Sequence, residues 1–157
     1  MNQILKFSSK IFDEIVIEGL INLKVKRNFK WFRTFDLKIF DEDNHLLTIA
    51  TTIDFLKIKY SIPHNQTGFE IGVENDERLF IDNDKLELKV EKFYPFKNKY
   101  AEVWFNNKLV GEILFEKKAF NIVLNFHPAI DIEWNKNEAL KIAILVILNI
   151  VDLDGTE

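Results

Sequence analysis

Lysine is the side chain most available for chemistry in this sequence, and it comes in two groups. Lys24, Lys26, Arg27, Lys30 and Arg33 lie close together; Lys97, Lys99, Lys108, Lys117 and Lys118 are spread more loosely. Brought to one end of a folded domain, the second group would receive an anionic head group. Each ammonium would act as a point charge, without the bidentate fork that arginine offers. Glu102, Glu112 and Glu116 are interspersed among these lysines. Alternating charge is also what the wet face of an outer strand carries, so the competing reading is a solvated surface.

Other chemistry-bearing residues fall short of a constellation. Asp41-Glu42-Asp43-Asn44 opens like a calcium loop. Leu46 stands where such a loop needs glycine and Thr52 where it needs a bidentate glutamate, which leaves a hairpin turn. Asp82-Asn83-Asp84 reads the same way. His45, His64 and His127 have no metal-ligand spacing and each lies near a turn. Asp131 and Glu133 share a strand face and could pair as acid and base, but capping and solvating a helix mouth is the simpler role. No nucleophile elbow, phosphate loop or zinc-helix motif occurs. The expectation is a protein without enzymatic activity, cofactor or metal.

Composition narrows the partners. The 21 basic and 25 acidic residues give a net charge of −4, which argues against a nucleic-acid partner. There is no cysteine, hence no disulfide framework and no thiolate chemistry. The opening MNQILKFSSK has no apolar stretch of signal-peptide length, so a cytoplasmic location is expected. The 157 residues suit one domain, 1–157.

The elements that must position any site are strands. Ile15 and Ile17 alternate with Glu14, Val16 and Glu18; Leu23 and Val25 alternate with Lys24 and Lys26. A strand from Trp31 to Phe40 sets Phe35, Leu37 and Ile39 on one face. Leu47, Ile49, Thr51, Ile53 and Phe55 then hold one phase, and Leu56, Ile58, Tyr60 and Ile62 the next. A one-residue slip flips every side chain, so a bulge or break is predicted at Phe55–Leu56, with both residues otherwise inward. Pro63 to Gly68 reads as a loop. Lys85 to Phe93 is the cleanest alternation. Tyr100–Phe105 and Leu109–Phe115 form a hairpin through Asn106-Asn107-Lys108, Phe120–Phe126 follows, and Ile130, Ile132 and Trp134 make a last short strand.

Ala139 to Val151 differs from everything before it. It carries only two polar side chains, Lys141 and Asn149. Asn135 or Asn137 can cap a helix there, with Glu138 in its first turn. The apolar run is shorter than a membrane span and is bracketed by acids, so a buried helix is expected. An antiparallel sheet of ten to twelve strands tends to close, and a closed barrel needs its interior filled. The predicted fold is all-β with one helix: a closed antiparallel β-barrel around a central hydrophobic C-terminal helix. Lys141 and Asn149 lie about 12 Å apart along the axis, which sends one to each barrel mouth.

Strand-rich hairpins ending in an Ala/Leu/Ile/Val helix resemble the tubby C-terminal-like superfamily, in particular its small LURP-one-related members, which are themselves similar to phospholipid scramblases. The residues carrying the likeness are Lys97 to Phe105, the Lys108–Ile113 arm of the following hairpin, and Glu138 to Val146, with the Trp31–Phe40 and Leu46–Ile53 hairpin in the same pattern. The resemblance implies a barrel of about twelve strands around the helix. It also implies a binding module that recognises anionic phospholipid head groups at a membrane surface through lysines; none of the family's binding positions maps residue by residue onto this chain. Two other functions stay open from the sequence: a structural or protein-partner-binding domain, and a barrel carrying a hydrophobic small molecule.

Overall fold

The computed structural model of the chain describes residues 4–10, 14–30, 34–91, 98–118, 121–129 and 133–154. Twelve strands run β1 (Leu5–Lys10), β2 (Glu14–Gly19), β3 (Leu23–Phe29), β4 (Phe35–Asp41), β5 (Asn44–Asp54), β6 (Lys57–Asn65), β7 (Ile71–Asn75), β8 (Arg78–Ile81), β9 (Asp84–Val90), β10 (Lys99–Phe105), β11 (Lys108–Lys118) and β12 (Asn121–Pro128). Among the described residues one helix, α1 (Lys136–Asp154), follows.

The strands form one antiparallel sheet in the order β6-β5-β4-β3-β2-β1-β12-β11-β10-β9-β8-β7. Two six-strand meanders are joined by the β1–β12 ladder, Leu5 opposite Phe126. Their free edges, β6 and β7, come together without a ladder among the described residues, so the sheet is nearly closed. Period-two alternation produces this shape directly. Leu23 and Val25 are buried while Lys24 and Lys26 face water, and β4 repeats the pattern with Leu37 and Ile39 against Lys38. Gly19 makes the β1–β2 approach possible: a Cβ there would stand 2.1 Å from the Ile4 carbonyl oxygen, and its φ of +135° suits glycine.

The helix fills the interior. Asn135 caps it: its Oδ1 accepts from the Glu138 N–H at 2.8 Å, and its Nδ2 donates back to Glu138 Oε1 at 2.9 Å. Ile142 through Leu148 are 0–1% exposed on every side of the helix. A helix buried all round needs no amphipathic stripe. The two polar residues reach the mouths. Lys141 Nζ meets Asp84 Oδ2 at 3.4 Å where the helix enters, and Asn149 Nδ2 donates to the Asp76 carbonyl at 3.3 Å near the other end. Asn149 Oδ1 also accepts from the Tyr100 hydroxyl. The turns at the helix's entry are here the entry rim; those near its C-terminus are the far rim.

Two local expectations change. The phase slip is a two-residue turn between β5 and β6, which puts Phe55 at 94% and Leu56 at 92% exposure rather than inward. Strand β6 continues through Pro63 to Asn65, where a loop was expected. The register shift between Thr48 and Ala50 makes a bulge at Ile62–Pro63, a place where a missing N–H is tolerated. Trp31 to Arg33, and the Ile130 and Ile132 of the expected last strand, lie outside the described residues.

Candidate functional site

The second lysine group does not assemble as one cluster. Lys99 opens β10 opposite Leu114, and Lys117 and Lys118 close β11 beyond it, so these three share the far rim. Lys108 pairs with Phe105 at the other end of the same hairpin, about 20 Å away along the strand. Lys97 lies outside the described residues. Lys99 is also engaged: its Nζ is 3.0 Å from Glu102 and 3.9 Å from Glu112. The hydrogen bond that Lys99 Nζ donates to Glu102 raises the Lys99 pKa, and the same bond lowers that of Glu102.

That side of the barrel is mixed in charge: Lys99, Lys108, Lys117 and Lys118 share β10 and β11 with Glu102, Glu112 and Glu116. Glu102, Glu112 and His127 stand directly opposite one another on β10, β11 and β12. They line an open depression of about 380 Å³ with Gly111 in its lining. Gly111 leaves room for the buried Phe126 ring, which a Cβ would approach to 2.4 Å. Of Asp131 and Glu133, which the sequence reads first as capping and solvating the helix mouth, Asp131 lies outside the described residues.

The first lysine group splits differently. Arg27 turns inward and is buried, Lys30 pairs with Asp36 at 2.9 Å, and Arg33 is not among the described residues. Lys24 and Lys26 remain on the outer face, where Lys26 stands opposite Lys38 of β4. Like charges directly opposite are destabilising, so the fold gains nothing from this pair. Lys24 and Lys38 have no ion-pair partner among the described residues, and Lys26 Nζ lies 5.3 Å from the centre of the Phe40 ring. Glu14, opposite Lys26 on β2, does not close to ion-pair distance.

An aromatic row continues from Phe40 across the next two strands. Phe40 stacks on His45 at 5.0 Å, and His45 on His64 at 4.0 Å. His45 Nε2 is 2.6 Å from Thr48 Oγ1, and His64 Nε2 donates to the His45 carbonyl at 2.8 Å. Partial burial, then the neighbouring His64, hold the His45 pKa below its ordinary value. The histidines are nineteen residues apart, and the β5–β6 register with its bulge is what joins them. Strand phase alone would put both on the inner face, with Leu47 and Ile62; the register shifts at Phe40 and at Thr48–Ala50 break that phase.

Among the described residues no group of three His, Asp or Glu is placed to hold a metal ion. No described helix is long and apolar enough to cross a membrane. The lumen that a small-molecule carrier would need is occupied by α1. No family model, curated protein or solved structure matches this chain.

Proposed function

We propose that this protein is a non-enzymatic binding module that docks on anionic phospholipid surfaces through the outer face of β3–β6. The observation that carries this reading is the Lys24–Lys26–Lys38 band, which has no carboxylate at ion-pair distance among the described residues and sets Lys26 opposite Lys38. Head-group phosphates would supply the missing counter-charge. The filled interior supports a surface mode of recognition. A twelve-strand sheet around a C-terminal helix is also what the tubby-like resemblance implies, which supports placing the chain in that superfamily and its membrane-surface class.

The test is co-sedimentation of the full chain with vesicles of phosphatidylcholine alone and with added phosphatidylserine, at low and high salt. Salt-sensitive binding to the anionic vesicles alone is expected. The Lys24→Gln/Lys26→Gln/Lys38→Gln variant should bind roughly a hundredfold more weakly, at about 1 kcal/mol per lysine near the surface, with its melting temperature kept or raised. Equal binding of the variant, or no binding by the parent chain, overturns the reading.

A further inference from the structure

The β5–β6 hairpin ends in a turn that its own sequence disfavours. Phe55 has φ +49° and Leu56 φ +68°, the left-handed pair of a type I′ turn. Asn-Gly suits that backbone; a bulky apolar side chain does not. The two side chains gain no burial in return, since both are more than nine-tenths exposed. A strained turn carrying two of the most exposed large apolar side chains among the described residues is a local conflict the fold does not resolve by itself.

The surroundings say what would resolve it. Thr51 marks where β4 begins: its Oγ1 accepts from the Phe35 N–H at 2.8 Å and donates to the Phe35 carbonyl at 3.1 Å. Thr52 to Lys59 therefore run roughly 10 Å past the end of β4. The result is a convex knob, suited to a medium that closes around it. Lys57 is exposed at its base with no ion-pair partner among the described residues, while Lys59 pairs with Asp54 at 2.7 Å. Phe29, 47% exposed, ends β3 on the same rim. Apolar tip and cationic collar match a bilayer with anionic head groups: hydrocarbon receives the one and phosphate the other.

We propose that the Phe55–Leu56 tip is a membrane-inserting wedge, entering the acyl boundary of an anionic bilayer while Lys57 stays at head-group level. This rests on the lipid-surface reading and adds to it a depth of insertion and a place.

The test uses two variants of the full chain and vesicles of phosphatidylcholine with phosphatidylserine. Phe55→Asn/Leu56→Gly installs the residues that the turn prefers. Its melting temperature should rise by roughly 2–8 °C, because the strain is relieved without loss of packing. Its vesicle affinity should fall at least about tenfold, because two apolar side chains no longer leave water. The natural chain has no cysteine, so Leu56→Cys carries a single environment-sensitive fluorophore. On anionic vesicles its emission should shift to the blue and be quenched by spin-labelled acyl chains, while the same dye at Asn107→Cys on the entry rim stays in water. If the parent chain binds no vesicle, the lipid-surface reading falls and the wedge with it. If the parent binds but the Asn-Gly variant binds equally, or the dye at position 56 stays wet, the wedge alone falls. Loss of self-association instead of vesicle binding would assign the tip to a second copy of the chain and also overturn the wedge.

Discussion

Two hairpin turns in this barrel share one backbone and nothing else. Asn106 and Asn107 have φ values of 49° and 67°; Phe55 and Leu56 have 49° and 68°. At the entry rim the side chains suit the geometry and use it. Asn106 Oδ1 accepts the Lys85 N–H at 2.8 Å, its Nδ2 donates to Asp84 at 3.0 Å, and Asn107 Oδ1 accepts from Lys85 Nζ at 2.7 Å. Asp84 in turn meets Lys141 of α1, so this turn is wired through to the helix. At the far rim the tip residues lie in solvent and only their flanks, Asp54 and Lys59, are joined. The same backbone geometry is satisfied by its side chains in one place and opposed by them in the other, and the wedge proposal rests on that difference.

The largest effect comes from removing what holds both rims in place. Ile144→Asp puts an unpaired charge at the centre of α1, and the loss should be about 3–5 kcal/mol. Thermal unfolding followed by circular dichroism should show the cooperative transition weakened or gone. A cooperative melt like the parent's would mean that the helix is not what the strands pack around.

Next in size is the graft of one turn onto the other hairpin. Asn106→Phe/Asn107→Leu should cost about 2–4 kcal/mol, since it adds backbone strain and removes three hydrogen bonds. Denaturant titration reads the loss directly. The reverse exchange at Phe55–Leu56 carries the opposite sign. If both exchanges destabilised equally, the two turns would not differ in kind and the contrast would collapse.

The smallest effect concerns His45. The folded protein holds its pKa below the ordinary 6.5, so the unfolded chain takes up the proton more readily. Its contribution to stability is therefore complete above pH 6.5 and is lost as pH falls below that value. Melting temperatures should decline slightly as pH falls from about 7.5 to 5.5, and His45→Phe, which keeps a ring between Phe40 and His64, should flatten the slope.

The fold was legible because its causes are local. Alternation at Leu23–Val25 and Leu86–Leu88 follows from one buried face, and the unrelieved apolar run Ile142–Leu148 required enclosure on every side. The site was less legible, because sites depend on register. Lys99 and Lys108 are close in sequence, yet a strand between them carries one to each rim. His45 and His64 meet only because a bulge corrects the β5–β6 pairing. Phase analysis located the break at Phe55–Leu56 but could not name it, since neither residue suits a type I′ turn. The residues that break the pattern there are the ones on which the wedge proposal rests.

The position of α1 in the chain has a consequence for biosynthesis. Ten of the eleven ladders join strands that follow one another in sequence, so the two meanders can zip up as they leave the ribosome. The helix emerges only after all twelve strands. A sheet assembled without α1 would leave Leu37, Ile49, Leu86 and Phe126 lining an empty apolar trough, the kind of exposed surface that aggregates, so docking of the helix is the step that closes the core.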